Sequence, residues 1–140
     1  LLVMCDEDAN SFQGVLDAMK LPKGTEEEKK HRSEEIQAGY RTALEVPFKT
    51  CELCVEGLKL NDVFAEYGNI YGITDQGCST LLLAASGEAA LLNVLINLKS
   101  IKDEDYKKDI ISKMDEYREE IDALKTKYME SCYSRLEKME

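Results

Sequence analysis

Apolar residues recur along this chain at alternating steps of three and four, and nowhere in the strict alternation of a half-buried strand. Leu2, Cys5, Ala9, Phe12, Leu16 and Met19 make one face of a first helix, which stops at Leu21-Pro22-Lys23-Gly24. Thr25 followed by Glu28 is a capping box: the hydroxyl accepts from an early backbone N–H and the glutamate reaches back to the cap. A second helix therefore begins there and runs through Ile36, Tyr40, Ala43 and Leu44 to about Leu58. Pro47 lacks an N–H and crowds the preceding turn, which predicts a kink or a break near Val46. A short helical piece over residues 61–66 follows. Residues 67–72 are a loop whose two glycines and asparagine suit left-handed backbone angles. Thr74 or Asp75 is the expected cap of the third major helix.

Residues 79–98 are apolar on nearly every side, the pattern of a central bundle helix or of a membrane span. Ser86-Gly87-Glu88 interrupts the run, and Asn93 and Asn97 add two amides near its end. These residues and the polarity of the remaining chain argue against a span. Asp103 caps a last helix with Ile110, Met114, Tyr117, Ile121, Leu124 and Tyr128 at four-three spacing, continuing through Cys132 to the end. At 1.5 Å per residue such a helix is about 50 Å long, more than a compact domain of this size needs, so its far end calls for another packing surface. The fold expected is an all-α multihelical bundle with long helices, a single domain over residues 1–140, completed by dimerisation. The chain opens without an initiating methionine and already in helical register, which predicts missing N-terminal residues.

With 140 residues and 44% hydrophobic content, the chain can fill a modest core. Its formal charge of -10 opposes general binding to nucleic acid or to an anionic membrane, so an anionic ligand must find a local basic site. The 5 cysteines are odd in number and scattered through helical regions, which reads as free thiols in a reducing, cytoplasmic setting.

Few constellations carry chemistry. Asp8 shares a helical stripe with Leu1, Met4, Ser11 and Val15; a carboxylate among such neighbours is biased toward protonation near neutral pH and can move a proton, or simply bonds a neighbouring helix. Ser86, Ala90, Asn93 and Asn97 form a small-and-amide stripe that either bonds facing helices or lines a pocket for a donor- and acceptor-rich ligand. Lys20, Lys23, Lys29, Lys30, His31 and Arg32 are the densest basic segment and could hold carboxylates of a ligand, although Glu26, Glu27 and Glu28 among them make an exposed mixed-charge helix the commoner explanation. Cys51-x-x-Cys54 lies mid-helix, with no second such pair and a single histidine elsewhere, so a small apolar helix face explains it better than zinc or redox chemistry.

Asp6-Glu7-Asp8-Ala9-Asn10-Ser11-Phe12, the run from Ala18 to Glu28, Gly68-Asn69 with Asp75, and Asn93-Val94-Leu95-Ile96-Asn97-Leu98 together resemble the family of cyclodeaminases and methenyltetrahydrofolate cyclohydrolases. The resemblance implies a helical, homo-oligomeric folate one-carbon enzyme with a tetrahydrofolate derivative as substrate, no metal and no covalently bound cofactor. Cyclodeaminases close 5-formiminotetrahydrofolate to 5,10-methenyltetrahydrofolate with release of ammonia, a step of histidine degradation; cyclohydrolases open the methenyl bridge to 10-formyltetrahydrofolate. On this basis Asp8 and Asp75 are the candidate catalytic carboxylates. Asn69, Asn93 and Asn97 are candidates to orient the substrate, and Lys20 and Lys23 to hold a glutamate or polyglutamate tail. A fused or partner formiminotransferase is a further expectation. The cyclodeaminase branch is preferred on its Asp-rich first segment and Asn-Val-Leu-Ile-Asn-Leu run. A rival of another class is a non-catalytic helical oligomerisation module that kept the fold and lost the chemistry.

Overall fold

A computed structural model describes residues 11–138, and every regular element among them is helical. In chain order these are α1 (Gln13–Met19), α2 (Glu26–Lys59), α3 (Asn61–Tyr67), a 3-10 turn (Ile70–Gly72), α4 (Ile73–Leu98) and α5 (Glu104–Leu136). The chain packs as two compact units, one of Leu1–Thr50 with Ala90–Ile111 and the other of Cys51–Ala89 with Ser112–Glu140.

In the first unit the Thr25 capping box forms as predicted. The Glu28 N–H donates to Thr25 Oγ1 at 3.1 Å, while Glu28 Oε2 accepts from the N–H groups of Gly24 and Thr25 at 2.7 and 3.1 Å. Asp103 likewise caps α5 by accepting from the Tyr106 N–H at 3.0 Å. Helix α1 lies against α2 so closely that a Cβ at Gly39 would stand 3.0 Å from the Val15 backbone nitrogen. The core here includes Val15, Leu44, Leu91, Val94 and Ile101, all 4% exposed or less.

Pro47 does not break α2, which continues to Lys59. Without an N–H, Pro47 leaves the Ala43 carbonyl, four residues earlier, without its helical donor. That carbonyl accepts from Asn97 Nδ2 of α4 at 3.1 Å. One turn on, Thr50 Oγ1 donates to the Val46 carbonyl at 3.0 Å. The Asn97 side chain thus supplies the bond that the proline interrupts.

In the second unit Cys51, Cys54, Val55, Leu58, Ile121 and Tyr128 form a buried interior. Burial pushes the Cys51 thiol up to about 12 and raises Cys54 as well, so this pair behaves as small apolar side chains. Helix α5 spans 33 residues, about 50 Å. Helix α4 departs from a fully buried central helix. Cys78, Leu82, Ala85, Ala89, Leu92 and Ile96 are exposed at four-three spacing along one face, with Leu82 at 69% and Leu92 at 64%. Hydrophobicity all round therefore leaves one apolar face of α4 open rather than buried.

Candidate functional site

The second unit holds a cavity of about 390 Å³ lined by Asn61, Phe64, Asn69, Gly72, Ile73, Asp75, Gln76 and Ser79. Helix α3, the 3-10 turn and the first turns of α4 build it, so the most glycine-rich part of the chain frames its mouth. The glycines do not act as expected. Every described residue has negative φ, including Gly68 at -66° and Asn69 at -59°. Space is what demands glycine at 68: a Cβ there would fall onto the Phe64 carbonyl oxygen, which accepts from the Gly68 N–H at 2.9 Å.

Arg135 near the end of α5 secures this frame. Its guanidinium donates to the carbonyls of Phe64, Ala65 and Gly68 at 3.3, 3.2 and 2.7 Å, satisfying the C-terminal carbonyls of α3 and opposing that end of the helix dipole. At the other end of α3 the Asp62 carboxylate pairs with Lys127, whose hydrogen bond lowers its pKa.

Beneath the mouth lies a buried polar knot. Asn61 Nδ2 donates to Thr80 Oγ1 at 2.9 Å, and Thr80 Oγ1 donates to the Gln76 carbonyl at 2.9 Å. Ser79 Oγ also reaches the Gln76 carbonyl at 2.9 Å. Gln76 Nε2 donates to the Asn61 carbonyl at 3.4 Å, while Gln76 Oε1 is buried with no hydrogen-bond partner. In native proteins such an atom is uncommon.

Of the residues singled out from sequence, Asn69 and Asp75 come together on this cavity. Asn69 caps the 3-10 turn by accepting from the Tyr71 N–H at 3.1 Å, which leaves its Nδ2 able to donate to a ligand. Asp75 sits in the first turn of α4 rather than at its cap, is exposed, and makes no hydrogen bond or ion pair with any described residue. Its position complements the helix dipole and presents a carboxylate at the cavity wall.

The other candidates do not line the cavity. Asn97 is engaged with the Ala43 carbonyl, and Asn93 is on the exposed side of α4. Lys20 pairs with Asp17 at 2.8 Å, and Lys23 is exposed in the connection between α1 and α2. Elsewhere in the basic segment Lys29 pairs with Glu26, and Arg32 donates to the Met19 carbonyl at the end of α1. That is the behaviour of a mixed-charge surface. Asp8 lies outside the described residues. Among the described residues, no three His, Cys, Asp or Glu side chains gather as a metal site. Sequence reasoning missed Asn61, Gln76, Ser79 and Arg135: isolated polar residues in helical stretches carry no local signal, and Arg135 meets its partners from 67 to 71 residues away.

The cavity presents amide and carboxylate side chains within an all-helical scaffold, and comparison with known proteins specifies the lineage. Residues 1–116 match the family model described as formiminotransferase-cyclodeaminase, and the chain belongs to that family. It is 33% identical over 133 residues to methenyltetrahydrofolate cyclohydrolase of Methylorubrum extorquens, covering 95% of this chain and 64% of that protein. It is 37% identical over 113 residues to formimidoyltransferase-cyclodeaminase of Gallus gallus, covering 76% of this chain and 20% of that longer protein. The fold matches formiminotetrahydrofolate cyclodeaminase of Thermotoga maritima with a TM-score of 0.81 at 23% identity, over 95% of this chain and 62% of that one. The chain thus spans under two thirds of the length of these relatives.

Proposed function

We propose that the full-length protein is a folate one-carbon enzyme, formiminotetrahydrofolate cyclodeaminase, and that the cavity over α3 and α4 receives part of its substrate. The observation that carries this is the convergence of Asn69 and Asp75, two positions of the family resemblance, on one cavity. Ring closure needs a base for the proton on the attacking nitrogen and an acid for the departing amine, while the cationic methenyl product favours a nearby carboxylate. Asp75, exposed at the wall and without an ion-pair partner among the described residues, suits the last role directly and the proton transfers once a substrate shields it from water. Asp8 is the second carboxylate of the proposal. Phe64 and Ile73 offer apolar walls to a flat ring, and Asn69 Nδ2 offers a donor.

Methenyltetrahydrofolate cyclohydrolase is the second reading, favoured by the relative with that activity matching 95% of this chain. The proposed enzyme is a homodimer in which the exposed α4 face packs against a second copy. Ala85 and Ala89 at the middle of that stripe allow close approach, and Leu82, Leu92 and Ile96 supply apolar area. Helix α4 is long and apolar enough to cross a membrane by composition. Glu88, Asn93 and Asn97 along it favour a protein partner over lipid. The unpaired described cysteines favour a reducing cytoplasm.

The test follows the methenyltetrahydrofolate absorbance with full-length protein. Appearance from 5-formiminotetrahydrofolate identifies a cyclodeaminase, and accelerated loss of methenyltetrahydrofolate identifies a cyclohydrolase. No change in either, with folded protein, removes the enzyme reading and leaves a helical oligomerisation module.

A further inference from the structure

The exposed stripe of α4 reads the same from either end. Helix α4 is unbroken from Ile73 to Leu98, and Gly87 turns inward, where a Cβ would stand 2.7 Å from Ile121 Cδ1. On the opposite side, exposed residues recur at three-four spacing and are matched in pairs about position 87. Two residues away on either hand stand Ala85 and Ala89, and five away Leu82 and Leu92. Nine away stand Cys78 and Ile96. Twelve away stand Asp75 and Lys99, of opposite charge, both exposed and neither hydrogen-bonded nor ion-paired to any described residue.

Two antiparallel copies of such a stripe are self-complementary, because a twofold axis beside Gly87 exchanges the members of each pair. Small meets small at the centre, which lets the helix axes approach, and leucine meets leucine on either side. At each end a carboxylate meets an ammonium. A parallel pairing would set Asp75 against Asp75 and Lys99 against Lys99, and like charges repel. Three-four spacing drifts slowly around a straight helix, so contact along the whole stripe calls for the shallow left-handed crossing of coiled-coil packing.

Resting on the homodimer reading above, we propose that the second copy packs antiparallel on α4 and that the partner's Lys99 reaches Asp75 at the cavity wall. The site is then incomplete in one copy. An ammonium beside Asp75 favours the ionised carboxylate, the form that stabilises a cationic methenyl group. Lys99 is a positioning residue that acts through Asp75, and twofold symmetry gives each cavity of the dimer one such lysine from the opposite copy.

Disulfide trapping and a charge swap in the full-length protein test this. Ile96→Cys places a thiol opposite the partner's Cys78, so mild oxidation is expected to give a covalent dimer joined from Cys78 to position 96. Peptide mass mapping identifies that bond, and adding Cys78→Ser abolishes it. Ile96 is 59% exposed, so its substitution leaves the core intact. Lys99→Glu and Asp75→Lys each bring like charges together at both ends and are expected to weaken dimerisation roughly tenfold in analytical ultracentrifugation. The doubly substituted Asp75→Lys/Lys99→Glu protein, with the charges exchanged, is expected to regain most of the wild-type affinity. A dimer that does not join position 96 to Cys78, or a swap that dimerises no more tightly than the single reversals, overturns the pairing and leaves the homodimer reading standing. A monomeric wild type overturns both, while the folate reading is decided separately by the methenyltetrahydrofolate absorbance.

Discussion

Asn97 distinguishes a structural role from a ligand role more sharply than any other residue here. Its amide donates to the Ala43 carbonyl, the group that Pro47 deprives of its helical N–H. Replacing Asn97 by Ala removes that donor and leaves a partly buried carbonyl unmatched, which costs about 1–2 kcal/mol. For a chain of 140 residues this corresponds to a fall in Tm of about 3–6 °C. Pro47→Ala restores a backbone N–H to the same carbonyl. In that background Asn97→Ala should cost only about 0.5 kcal/mol or less, giving a coupling energy on the order of 1 kcal/mol between residues 50 apart in sequence. Urea unfolding followed by circular dichroism at 222 nm, for wild type, both single variants and the double variant, measures the cycle. An equal cost of Asn97→Ala in both backgrounds refutes the reasoning. So does a variant that keeps full stability but loses folate binding, which would return Asn97 to the ligand.

Arg135→Met should release the frame of the cavity: amide hydrogen exchange across Asn69 to Gly72 should quicken several-fold, whereas unchanged exchange would dismiss the clamp. Thiol labelling at pH 8 of a Cys5→Ser variant should spare Cys51, Cys54 and Cys132 until unfolding, since all three are buried; rapid modification of these three in the folded protein would contradict the packing. Asp103 is held below its ordinary value of 3.8, first by the Tyr106 N–H and then by the Arg41 guanidinium. A depressed carboxyl stabilises the fold above the unfolded value and loses that contribution as pH falls through the folded value. The stability advantage of wild type over Asp103→Asn should therefore be level near neutrality and fade below about pH 4, a trend that unfolding curves across pH 2–7 would expose.

Local chemistry written in consecutive residues was legible without coordinates. The Thr25–Glu28 capping box, the Asp103 cap and the helical period each depend on neighbours within a turn, so spacing alone determines them. The resemblance also marked Asn69 and Asp75, close enough in sequence that one helical start brings them to one cavity.

Tertiary packing decided the rest. Pro47 reads locally as a helix breaker, yet α2 continues because a side chain 50 residues away supplies the missing donor. Gly68 reads as a left-handed loop position, but its backbone angles are open to any residue, and only the crowding of the Phe64 carbonyl forbids a side chain. Asn61, Gln76 and Arg135 gain meaning from partners between 15 and 71 residues distant, a separation at which periodicity carries no information. The apolar run of α4 specified a helix without specifying which face would stay uncovered, because hydrophobicity is non-directional and only the arrangement of neighbouring helices assigns burial.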